Sequence, residues 1–136
     1  MRNGPAVILA ATLLFLSSNV LFPARAGAET PDFQGCMYAV DLGAFKMTQW
    51  TACYDAELKR QDRELNATYL KIQKAASPDL KQSLIKGQRA WIVYRDAWCS
   101  YEELTPVAPG GSVNKAACLV DLTKTQIERL KNSSID

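Results

Sequence analysis

The residues that could do chemistry in this chain are few, and their spacing argues against catalysis. The sequence has no histidine, so neither a Ser-His nor a Cys-His nucleophile can be assembled. Glu102 and Glu103 are adjacent, as are Asp62 and Glu64 but for one residue; on a helix such neighbours diverge by about 100° per residue, which makes poor acid–base pairs. Four cysteines, Cys36, Cys53, Cys99 and Cys118, are separated by 17, 46 and 19 residues. That pattern contains no Cys-x2-Cys pair and points away from zinc. Gly110-Gly111 precedes a helix but follows no strand, so it reads as loop closure rather than as a phosphate cradle. The expectation is a non-enzyme without cofactor or metal.

What remains is binding chemistry. Trp50 and Tyr101 are the aromatic residues expected to emerge at one end of the molecule. Beside them lies the segment 105–112, TPVAPGGS, with Pro106 and Pro109 stiffening its first half and Gly110 and Gly111 closing the second. With Glu102 and Glu103 at its edge, this loop is the candidate contact for a protein partner, because a constrained loop loses little entropy on binding.

Several elements must position these residues. Residues 1–26 have the form of a secretory leader: Arg2, an apolar run from Ala6 to Phe22, and an Ala-x-Ala cleavage site, with cleavage after 28 as the alternative. Removing the leader takes away Arg2 and Arg25 and leaves 14 basic against 14 acidic side chains. A neutral mature chain has no footprint for nucleic acid or an anionic membrane surface. No cysteine follows the apolar run directly, so no lipid anchor is expected and the protein should be periplasmic or secreted. Export and an even cysteine count together predict two disulfides.

Residues 27–47 are expected to form an extension tethered by Cys36, loose over 27–35 and a short helical turn or loop over 36–45, ahead of a helical domain over 48–132. Within it, Thr48 caps a helix from Gln49 to about Ala76, with Tyr54, Leu58, Leu65, Tyr69 and Ile72 as its apolar stripe. Ser77-Pro78 stops that helix and starts the next, Ser77 serving as hydroxyl cap. Leu80, Leu84, Gly87, Trp91, Tyr94 and Trp98 make one face of this second helix; Ile85, Ile92 and Cys99 make another. Two apolar faces predict that it is the central helix of the bundle. A third helix, from about Val113 to Lys131 and capped by Ser112, offers Ala116, Val120, Ile127 and Leu130. The fold class is therefore all-α: a small antiparallel bundle of two long helices in a hairpin and a C-terminal third, stapled by two disulfides.

The hairpin has geometric consequences. Asp62 and Arg95 lie 15 and 18 residues from the turn at Ser77, and an ion pair between them is plausible; Asn66 and Gln88, both 11 away, could also face each other. An up-down-up bundle brings Cys53, Cys99 and Cys118 to one end, within reach of Cys36. The pairing Cys36–Cys53 with Cys99–Cys118 is favoured, and Cys53–Cys99 with Cys36–Cys118 is sterically possible.

Taken in order, Met47-Thr48 with Cys53, then Asp62, Glu64, Leu65, Asn66 and Tyr69, then QRAWIVYRDAWC from Gln88 to Cys99, then Gly110-Gly111-Ser112, and last Cys118 with LTKTQIERL over 122–130, form a recognisable series. This series resembles the LprI-type lysozyme inhibitor N-terminal domain family, over about residues 36–131. The resemblance implies a small exported bacterial helical domain that inhibits lysozyme in the envelope. It marks Asp62, Asn66, Tyr69, Gln88, Trp91, Arg95, Asp96 and the four cysteines as fold-defining positions, and assigns no inhibitory contact. A structural or accessory envelope protein without inhibitory action is the alternative.

Overall fold

A computed structural model describes residues 31–43 and 46–133. Four helices make up these residues: α1 (Pro31–Tyr38), α2 (Lys46–Ala75), α3 (Pro78–Leu104) and α4 (Gly111–Asn132). The described residues contain no strand, and the fold class is all-α. The leader and the cleavage sites expected within residues 1–30 lie outside the described residues.

The helix boundaries follow local chemistry, with corrections. Pro78 occupies the first turn of α3, and Asp79 sits where the helix dipole favours an anion. The Ser77 hydroxyl, however, makes no capping bond; the Ser77 carbonyl instead accepts the Lys81 N–H at 2.8 Å. Thr48 lies inside α2, which begins at Lys46. Ser112 lies inside α4, whose N-cap is Gly110. Residues 31–35, expected to be loose, are helical together with the start of the short turn expected from Cys36, because Phe33 has somewhere to go. Its ring is buried 5.1 Å from that of Tyr54, and Cys36 is bonded to Cys53 on α2.

The second correction concerns the centre of the bundle. α4, not α3, packs against both other long helices, while α2 and α3 scarcely touch beyond their shared turn. Thr51 meets Ser112 at 3.2 Å and, further along, Glu64 meets Lys131 at 2.6 Å, so α2 and α4 run in the same direction. α3 returns against α4. Val113, Ala116, Val120, Ile127 and Leu130 on α4 are all buried, joined by the polar Thr123 and Gln126. On α3 only Cys99 is fully buried, and Tyr94, Trp98, Ile92 and Leu80 are exposed. The physical reason is that α3 carries more apolar faces than one neighbour can cover.

The interior has two apolar clusters. Phe33, Val40 and Cys53 form one at the end where α2 begins, with Met37, Trp50 and Tyr54 against it. Leu65, Ile127 and Leu130 form the other, covered by Tyr69, Ile72, Leu84 and Trp91. Along α2, the stretch between these clusters buries two polar side chains, Glu57 and Gln61, and Arg60 lays two N–H groups on the Glu57 carboxylate at 2.6 and 3.0 Å. The disulfides are Cys36–Cys53 and Cys99–Cys118, with Cα atoms 5.8 and 5.5 Å apart, and both sit at the end where α2 and α4 start. The favoured pairing is the observed one.

Candidate functional site

Two surfaces hold the residues of interest. The first is the connection between α3 and α4, which the Cys99–Cys118 bond closes at its base. Gly110 and Gly111 have φ of +91° and +53°, in the left-handed region that side-chain-bearing residues avoid, and this bends the chain sharply into α4. Asn114, in the first turns of α4, reaches back: its Oδ1 accepts the Gly110 N–H at 3.1 Å and its Nδ2 donates to the Val107 carbonyl at 2.8 Å. At the other end Thr105 turns its N–H and its hydroxyl onto the Glu102 carbonyl. The loop is therefore tied at three points while presenting apolar side chains to solvent: Leu104 is 83% exposed and Val107 62%.

The other sequence-derived contact residues divide around this loop. Pro106, Pro109 and Tyr101 are exposed on or beside it. Glu103 is held by Lys115 at 2.8 Å, and Glu102 borders a shallow hollow with Trp98, Val107 and Asn114. Trp50 stands apart. It is half-buried against the first apolar cluster, with the Lys46 ammonium 5.9 Å above its ring, and does not project as expected. Asn114 escaped the sequence reading; an asparagine shortly after Gly110-Gly111 was the available signal.

The second surface is a groove of about 460 Å³ between α2 and α3, on the side that α4 leaves open. Asp62, Asn66, Tyr69, Gln88, Trp91 and Arg95 all line it. These are six of the seven non-cysteine positions that the resemblance marks as fold-defining; Asp96, the seventh, is exposed and pairs with Arg95 at 2.9 Å. The expected Asp62–Arg95 pair is present at 3.5 Å. Asn66 and Gln88 do not pair; Gln88 Oε1 instead accepts from Gln126 Nε2 on α4 at 3.0 Å. Arg95 also donates to the buried Thr123 hydroxyl at 3.2 Å and lies 5.1 Å from the centre of the Trp91 ring.

Away from both surfaces, Glu64 accepts a hydrogen bond from Lys131 and another from Arg60, and these cations hold its carboxyl below its ordinary value of 4.5. Among the described residues, no cluster of histidine, cysteine or carboxylate side chains could hold a metal ion, and no helix is long and apolar enough to cross a membrane.

The described residues thus form a four-helix domain braced by two disulfides. The chain belongs to the lysozyme inhibitor LprI family, whose model matches residues 43–130. It is also 30% identical to an uncharacterized protein of Rhizobium meliloti (strain 1021), in an alignment that covers 80% of this chain and 83% of that one. No solved structure matches it.

Proposed function

We propose that this protein binds a protein partner in the bacterial envelope, with lysozyme as its target, and that the loop 105–110 makes the contact. The family is one of inhibitors rather than catalysts, which favours a non-enzymatic role. Two disulfides suit the oxidising conditions outside the cytoplasm, so the working location is periplasmic or secreted. The observation that carries the contact is the loop itself. It exposes Val107 between two prolines while Asn114 and a disulfide hold its backbone, the preorganisation that a plug for an enzyme cleft requires.

The test is a lysozyme turbidity assay on the oxidised protein beside its Val107→Glu variant. Saturable inhibition by the parent, weakened in the variant, supports the loop. Inhibition that survives Val107→Glu moves the contact to the groove, the second reading, which the convergence of six resemblance-carrying residues favours. Absence of inhibition against every lysozyme class leaves the accessory role.

A further inference from the structure

Among the described residues, α3 carries an unpartnered seam. Leu80, Ser83, Gly87 and Ala90 along its first half, and Tyr94, Ala97, Tyr101 and Leu104 along its second, are all exposed. Their spacing alternates three and four residues without a break, the repeat that keeps one helix face against another helix. No charged residue interrupts the series. Gly87 is the sharpest clue: it lies in mid-helix, where glycine costs about 0.5–1 kcal/mol relative to alanine. Among the described residues, nothing beyond its own turns of helix lies within 4 Å of where a Cβ would be. The described residues give no reason for a glycine there, whereas a second helix in close approach would.

We infer that the occupant of this seam is α3 of a second copy of this chain, packed antiparallel about a two-fold axis. The seam is small in its first half and aromatic in its second, so reversal sets large residues against small ones. In the register that uses the whole helix, Leu80 meets Leu104 of the second copy, Ser83 meets Tyr101, Gly87 meets Ala97, and Ala90 meets Tyr94. Trp98, 45% exposed and 5.4 Å from Tyr101, flanks the second half. Along the outer flank Val93 faces Val93 and Lys86 faces Ser100, so no like charges oppose. Three rings of roughly 200 Å² each, about half exposed, supply about 300 Å² per copy. With Leu80, Val93 and Leu104 the two copies together reach the roughly 1,000 Å² that a specific interface needs. Such an arrangement is isologous and closes at the dimer.

The experiment is sedimentation velocity over a wide concentration range on the purified protein, expressed with its leader and oxidised, beside Gly87→Leu and Ala90→Glu. The expected result is a concentration-dependent dimer for the parent and its loss in both variants. At a dilution where the parent is monomeric, Gly87→Leu should also melt no lower than the parent, because leucine is the better helix former and the site is open. A mixture of Ala90→Cys and Tyr94→Cys proteins should cross-link between the two variants faster than either does with itself. A parent that stays monomeric at its highest soluble concentration, or a Gly87→Leu protein that dimerises like the parent, overturns the inference. Equal cross-linking of all three combinations overturns the register.

Discussion

The Arg95 guanidinium reaches the Asp62 carboxylate at 3.5 Å across the mouth of a groove whose two walls, α2 and α3, otherwise barely meet. The same guanidinium donates to Thr123 on α4 at 3.2 Å, so one side chain ties three helices together. Its side chain is 15% exposed but that of Asp62 is 44% exposed, so the ion pair is screened as surface pairs are, and the bond to the buried Thr123 is the better-shielded contact.

Replacing Arg95 by alanine should therefore lower the unfolding free energy by about 1–3 kcal/mol, mostly by stranding the buried Thr123 hydroxyl. Arg95→Lys should recover little of it, since one ammonium cannot reach Asp62, Asp96 and Thr123 in the fork geometry of a guanidinium. Urea denaturation of the two variants measures both. Recovery by lysine would show that charge alone matters.

Much of the bundle is written in apolar spacing. The α4 positions Ala116, Val120, Ile127 and Leu130 read as a stripe and are buried as one. The Asp62–Arg95 pair follows from counting outward from Ser77-Pro78. What misled was α3: a helix rich in apolar residues on two faces reads as central, yet part of that surface is left in water. The buried face of α2 was hidden for the opposite reason. Glu57 and Gln61 occupy core positions, so a search for apolar residues passes over them. The groove was half legible, since its residues carry the family resemblance. That they line a cavity rather than seal a core depends on the splay of two helices, which no local pattern encodes.

Gln61 offers a test of that polar stretch. It is 2% exposed; its Nε2 donates to Glu57 at 3.1 Å, but its Oε1 is buried without a partner. An unsatisfied buried carbonyl is costly, and Glu57 keeps its two bonds from Arg60 without Gln61. Gln61→Leu should accordingly raise stability by about 1 kcal/mol in thermal or urea melts. A loss of stability would mean that the amide anchors Glu57 more than its carbonyl costs.

The two disulfides should fail differently. Among the described helices α1 packs chiefly on α2, so changing Cys36 and Cys53 to serine should release α1 while α2, α3 and α4 stay folded. The loss should be about 3 kcal/mol, with a small drop in far-ultraviolet helicity. Changing Cys99 and Cys118 removes a similar loop constraint but also opens the buried contact between α3 and α4, so it should cost more. Far-ultraviolet melts of the two double variants decide the order.

Acid should reach Glu64 late. Its carboxyl is held below 4.5, chiefly by the Lys131 hydrogen bond and then by Arg60, so the folded state favours its ionised form. The contribution is fully present above the ordinary carboxylate value and fades as pH falls through the lowered one. Glu64→Gln should thus be less stable than the parent near neutrality, and the gap should narrow as pH drops below 4.5. The side chain is about a third exposed, so the gap should also shrink in high salt. Melting curves across pH and salt separate this from a packing effect, which neither variable would move.

Asn114 links loop order to binding most directly. Its two hydrogen bonds, to the Gly110 N–H and the Val107 carbonyl, are replaced by nothing in Asn114→Ala, while the disulfide still closes the loop. Stability should fall by about 1–2 kcal/mol for the pair of bonds. The Gly110 amide should exchange its hydrogen faster, without faster exchange in the buried part of α4. If the loop is the contact, inhibition should weaken in parallel, because ordering it would then cost binding free energy that the parent has already spent in folding. The neutral charge expected of the mature chain gives no long-range attraction to separate out, so this weakening should be nearly independent of salt. Faster exchange with unchanged inhibition would show that the loop is mobile but idle, and would turn attention to the groove.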